Sequence, residues 1–68
     1  MDRVYASRIK NQLGGARMLS GLSIEQLSHR LDIGASTLGA IERGWRKKIN
    51  KRTNDKIIKF IKEIKNMY

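Results

Sequence analysis

Apolar residues recur at intervals of three or four positions along most of this chain, which is the spacing of one face of an α-helix. The alternation of apolar and polar residues that is typical of strands is weak. The pattern therefore predicts an all-α fold with four helices, over residues 3–19, 23–31, 35–43 and 53–66. A chain of 68 residues with this pattern is expected to form a single domain over residues 1–68.

The second and third predicted helices have clear ends. Ser23 is a favoured N-cap, and Gln26 three residues later completes a capping box. The second helix is expected to end at a tight turn that begins with Asp32, because Asp adopts the left-handed conformation more readily than most residues. Gly44 is the predicted end of the third helix. Two short helices joined by a tight turn form a helix-turn-helix.

The fourth helix is predicted from a strongly amphipathic segment. Thr53 is its predicted N-cap, with Asp55 in the first turn. Its apolar face is formed by Ile57, Phe60, Ile61, Ile64 and Tyr68. Ile58 falls among the lysines of the opposite face and is predicted to contact a second copy of the chain. Such a helix is also compatible with a membrane surface, but so short a chain needs the apolar face to complete its core.

The charge balance narrows the choice of partner. Lys and Arg number 15 against 6 Asp and Glu, which gives a formal net charge of +9. This excess on a small domain favours a polyanion: nucleic acid first, an anionic membrane second and an acidic protein third. The densest basic run contains Arg43, Arg46, Lys47, Lys48, Lys51 and Arg52 with no acid among them. Trp45, inside this run, is interpreted as packing over the end of the third helix, with a stacking platform as the alternative.

No arrangement of residues in the sequence points to catalysis or to a bound cofactor. The chain has no cysteine, and its single histidine, His29, cannot form a metal site alone. We therefore expect no enzyme activity, no metal and no cofactor, and we interpret His29 as a surface residue. No apolar run approaches the roughly 20 residues that span a bilayer. A cytoplasmic, nucleoid-associated protein without a membrane partner is expected.

Residues 17–44 resemble the DNA-binding domain of the phage Cro/CI repressor-like helix-turn-helix family. The matching residues are Arg17, the segment 21–23, Leu27, Leu31, Ile33, Ser36, Thr37, Leu38, Ile41, Glu42 and Gly44. The resemblance implies a sequence-specific regulator of transcription that binds double-stranded DNA. In this family such a protein is most often a repressor and acts as a homodimer on two half-sites. The resemblance also implies that Arg17 on the first helix pairs with Glu42 late in the third.

The resemblance makes the third helix the recognition helix, which lies in the major groove. The predicted base-reading residues are Ala35, Ser36, Thr37, Gly39, Ala40 and Arg43. Most of these side chains are small, so specificity is expected to include contacts to thymine methyl groups and DNA shape. The predicted phosphate-binding residues are Ser23, Arg46, Lys47, Lys48, Lys51 and Arg52. The chain departs from the family at Ile24, where a phosphate-binding Gln is common.

Two other functions are compatible with the sequence. The small-residue face of the third helix could bind a protein partner, as an antitoxin-like or adaptor module does. A basic peripheral membrane protein is the other alternative. An affinity for duplex DNA that falls steeply as the salt concentration rises distinguishes a DNA-binding protein from both of these alternatives.

Overall fold

A computed structural model describes residues 3–67 of the chain. The elements follow in the order β1 (Arg3–Tyr5), a 3₁₀ turn (Ala6–Arg8), α1 (Lys10–Ser20), α2 (Ile24–Leu31), α3 (Ala35–Arg43), β2 (Lys48–Asn50) and α4 (Lys51–Met67). The predicted all-α class with four helices is confirmed. The two short strands were not predicted, and they position much of the site described below.

The first predicted helix starts too early in the sequence-based interpretation. Residues 3–5 form β1, which pairs antiparallel with β2 so that Val4 lies opposite Ile49. The Ala6 N–H then donates to the Lys47 carbonyl at 2.8 Å, which extends the attachment. Ile49 is buried and Val4 is half-buried, so the pairing covers apolar surface as well as satisfying backbone groups. Periodicity within one segment does not reveal a strand whose partner lies far along the chain.

The predicted helix-turn-helix is confirmed in detail. The Gln26 N–H donates to Ser23 Oγ at 3.1 Å, and the Ser23 N–H donates to Gln26 Oε1 at 2.9 Å, which completes the capping box. Asp32 ends α2 with φ of 54°, in the left-handed region. Gly44 ends α3 with φ of 79°, a conformation that a residue with a side chain rarely adopts. His29 is exposed, as predicted.

The core lies between α1, α4 and the helix-turn-helix. Its largest fully buried side chains are Leu13, Leu27, Leu38, Ile41, Ile57 and Phe60. The predicted apolar face of α4 is therefore used inside the protein, except that Tyr68 lies outside the described residues. Ile58, predicted as a contact with a second copy, is half-buried and packs against this core beside Val4. Within residues 3–67 no helix has both the length and the apolar character needed to cross a membrane.

The start of α4 differs from its prediction. The helix begins at Lys51, and the Thr53 N–H donates to Asn50 Oδ1 at 2.8 Å. Asn50 is therefore the side chain that caps the helix, and Asp55 lies beyond the first turn. Asn50 ends β2 and is held in extended conformation by the pairing with β1, so it is well placed to cap the helix that follows directly.

We expect Asn50→Ala to lower the free energy of unfolding by about 1 kcal/mol, because the cap is lost. Thr53→Ala, the matched control, should change stability by less than about 0.5 kcal/mol, because Thr53 is inside the helix and Ala is the better helix former. Urea denaturation of the two variants measures both values. A larger loss for Thr53→Ala than for Asn50→Ala contradicts the assignment of Asn50 as the cap.

Candidate nucleic-acid interface

A bidentate ion pair fixes the position of α3. Arg17 Nε lies 2.8 Å from Glu42 Oε2, and Arg17 Nη2 lies 3.0 Å from Glu42 Oε1, so the predicted pair is confirmed. Arg17 Nη1 also donates to the Leu22 carbonyl at 3.2 Å, just before α2. The hydrogen bonds that Arg17 donates to the Glu42 carboxylate, with a smaller contribution from the Glu42 charge, raise the pKa of Arg17. One guanidinium thus ties α1 to both helices of the helix-turn-helix.

The outward face of α3 carries the predicted base-reading residues at different depths. Ser36 and Arg43 are exposed, whereas Ala35, Thr37 and Ala40 are half-buried. Gly39 is buried, although it lies on the side of the helix away from Leu38 and Ile41. The face is therefore shallow, with Arg43 its only long side chain.

Arg43 explains why Gly39 is covered. Its guanidinium carbon lies 5.2 Å from the centroid of the Trp45 ring, within the range of a cation–π contact. A Cβ on Gly39 would lie 3.1 Å from Arg43 Nη1, so the absence of a side chain there makes room for the guanidinium. Trp45 is 74% exposed, so the prediction that it packs over the end of α3 is wrong. Trp45 instead holds Arg43 along the outward face of α3.

A basic hollow of about 180 Å³ lies beside this face. Its lining is contributed by Arg3, Thr37, Arg46, Lys48, Ile49, Asn50 and Thr53. Three of these residues are cations, and none of the described residues that line the hollow is acidic. Thr37 belongs to α3, so the edge of the face that carries the predicted base-reading residues is also a wall of the hollow.

The hollow brings together only part of the predicted phosphate-binding set. Arg46 and Lys48 line it, and Arg46 also borders a second depression, which Lys47 lines together with Tyr5 and Lys10. Lys51 and Arg52 lie on α4 beside an acid, Asp55. Ser23 is exposed at the start of α2, with its hydroxyl occupied by the capping box. The basic run is thus distributed over separate surfaces.

Two lining residues, Arg3 and Asn50, were missed by sequence reasoning. Both reach the hollow through the pairing of β1 with β2, in which Arg3 lies opposite Asn50. The polar–apolar–polar segment from Lys48 to Asn50 was the only local signal, and the three positions are indeed exposed, buried and exposed. Three alternating residues are too few to distinguish a strand from a loop. What makes this segment a strand is its pairing with β1, which lies far away in the sequence.

Comparison with known proteins places this arrangement in a family. The family model described as Helix-turn-helix matches residues 15–63, more than two thirds of the chain. No curated protein and no solved structure gives a significant match. The matched span contains α2, the turn, α3 and the Arg17–Glu42 pair, and it excludes β1. Its members are typically not enzymes. The chain therefore belongs to the Cro/CI-type helix-turn-helix family of regulators that bind double-stranded DNA.

Proposed function

We propose that this protein is a sequence-specific repressor that places α3 in the major groove of its operator. The observation that carries the proposal is the junction at Thr37 between the outward face of α3 and the basic hollow. The major groove, about 12 Å wide, admits an α-helix. A helix seated there brings its flanks against the sugar-phosphate backbone, where Arg46 and Lys48 attract phosphates.

The small side chains of α3 determine how it reads sequence. Ala35 and Ala40 let the helix backbone approach the base pairs and can contact thymine methyl groups. Ser36 and Thr37 offer hydroxyl groups for hydrogen bonds, and Arg43 can donate two hydrogen bonds to a guanine. With one long reader, the remaining selectivity comes from DNA shape and from the energy of deforming the site.

A homodimer on two half-sites, about one helical turn apart, completes the proposed mechanism. Each copy contributes one α3, so the operator has the two-fold symmetry of the dimer. A dimer bound over a promoter blocks polymerase, which accounts for repression.

Selection of bound sequences from a random duplex pool, followed by titration of the selected duplex at several salt concentrations, tests the proposal. We expect a palindromic consensus and an affinity that falls steeply between about 50 and 200 mM salt, as it does for proteins with several phosphate contacts. Absence of duplex binding at low salt refutes it and leaves the small-residue face of α3 as a surface for a protein partner. Enrichment without any consensus refutes sequence-specific reading while retaining DNA binding.

A second prediction concerns Arg43 and its support. Arg43→Ala should reduce discrimination at one base pair by about 1–3 kcal/mol. Gly39→Ala should reduce it less, at the same base pair, because a Cβ 3.1 Å from Arg43 Nη1 makes the guanidinium shift by a few tenths of an ångström. Binding of the selected duplex and of its single-base variants, measured side by side, gives these values.

Two controls separate a loss of base recognition from a loss of stability or of overall affinity for DNA. Gly39→Ala should not lower stability, since Ala is favoured over Gly inside a helix by about 1 kcal/mol. Lys47→Ala should weaken binding to all duplexes about equally, because a phosphate contact carries no sequence information. If Arg43→Ala also weakens all duplexes equally, Arg43 is a phosphate-binding residue and not a reader.

A further inference from the structure

We propose that the basic hollow binds one phosphate of the DNA backbone and that Arg3, from the N-terminal strand, is one of its ligands. This inference rests on the proposed function, since the phosphate belongs to the duplex that α3 reads. Arg3 lies outside residues 15–63, the span that the family model matches. The contact therefore involves a residue outside the matched helix-turn-helix domain.

The position of Arg3 depends on the small sheet. β1 pairs with β2 over three residues, and the bond from the Ala6 N–H to the Lys47 carbonyl secures the far end of β1. This register places Arg3 opposite Asn50, at the end of β2 where α4 begins. Arg3 thereby joins Arg46 and Lys48 around the hollow although it is more than 40 positions away in the sequence.

The chemistry of the hollow suits a phosphate. Guanidinium groups form paired hydrogen bonds to phosphate oxygens, and two arginines and one lysine line this hollow. The Lys48 ammonium lies 5.2 Å from the centroid of the Tyr5 ring, at the margin of the hollow, so the two guanidinium groups are the main ligands proposed. The hollow also adjoins the start of α4, a 17-residue helix whose first N–H groups lack partners within the helix. Asn50 satisfies one of these groups, at Thr53, and the others favour an anion at this end of the helix.

The location identifies the phosphate as part of DNA. Thr37 of α3 lines the hollow, so an anion held there lies at the edge of the helix that occupies the major groove. The backbone that flanks the groove runs along that edge. Arg3 also borders a second depression, together with Arg8 and Ile58. Arg8 does not line the basic hollow, which makes it a matched control.

Titration of the full-length chain with its selected duplex at several salt concentrations tests the inference, using Arg3→Gln, Arg3→Lys and Arg8→Gln. For Arg3→Gln we expect the slope of log K against log salt to become shallower by about 0.9, the contribution of one phosphate. The same loss corresponds to an affinity about five- to tenfold weaker near 0.1 M salt. Arg3→Lys should retain most of the slope. Arg8→Gln, with the same change of charge, should retain all of it, and circular dichroism checks that each variant is folded.

The outcomes separate this inference from the proposed function. Equal slopes for Arg3→Gln and Arg8→Gln, with duplex binding intact, overturn the role of Arg3 and leave the proposed function standing. Absence of duplex binding by the unchanged chain overturns both. A third arm adds inorganic phosphate alone and follows the amide resonances of Thr37 and Asn50. If these shift with free phosphate while Arg3→Gln leaves the duplex slope unchanged, the hollow binds a free phosphate and the proposal is wrong.

Discussion

Replacing Glu42 by Ala is expected to lower the free energy of unfolding by about 2–3 kcal/mol, a large fraction of the stability of a small domain. The side chains of Arg17 and Glu42 are only 25% and 15% exposed. Without Glu42, the guanidinium keeps its half-buried position but loses two of its three hydrogen bonds. An unpaired charge away from water costs far more than an exposed one.

A double-mutant cycle isolates the pair from side effects of each change. Arg17→Ala, Glu42→Ala and the double variant should give a coupling energy of about 1.5–3 kcal/mol in urea denaturation. Because the pKa of Arg17 is raised in the folded protein, the contribution of Arg17 is fully present at neutral pH and is lost as the pH rises through the raised pKa. A measurement near pH 7 therefore reports the pair in full.

Arg30 and Glu63 provide the matched control. They are the same residue types, 3.3 Å apart, but their side chains are 49% and 46% exposed. Their coupling should be about 0.2–1 kcal/mol, the usual value for a solvated pair. If the coupling of Arg17 with Glu42 is no larger than this, the half-buried pair does not orient α3 and the structural role assigned to it is incorrect.

Simultaneous neutralisation of Arg46 and Lys48, as Arg46→Gln/Lys48→Gln, is expected to weaken duplex binding about 50-fold near 0.1 M salt. Both cations line the basic hollow beside Thr37, and none of the described residues that line the hollow is acidic. Loss of two phosphate contacts should also make the slope of log K against log salt shallower by about 1.8. Fluorescence anisotropy with the selected duplex measures the affinity and the slope together.

The matched variant is Lys51→Gln/Arg52→Gln, which removes the same formal charge from the same run. Lys51 and Arg52 are on α4, where Asp55 shares their depression. Their effect on the slope should be less than half that of the other pair, because neither residue lines the hollow and the charge of Asp55 beside them offsets part of theirs. If the two variants change the slope equally, the hollow does not hold the main phosphate contacts. The affinity would then depend on the total charge of the chain.

Sequence reasoning predicted most accurately where the determinants are local. The capping box of Ser23 and Gln26, the left-handed Asp32 and the final Gly44 each involve residues within one or two turns of one another. The Arg17–Glu42 pair is not local, and its prediction depended on the resemblance to a known family. Predictions failed at residues 3–9 and at the start of α4, because a strand pairing determines both.

The sequence by itself determined the helix-turn-helix, its apolar core positions and the strongly basic character of the chain. These properties follow from local conformational preference, from helical periodicity and from counting charges, none of which requires a distant partner. Only the tertiary structure decided which cations lie together. The pairing of β1 with β2 brings Arg3 to the hollow that Arg46 and Lys48 line, whereas Lys47, just before β2, lines a different depression. The physical reason is that the direction of a side chain in a strand is set by its register with the neighbouring strand, and that register is a contact between distant parts of the chain.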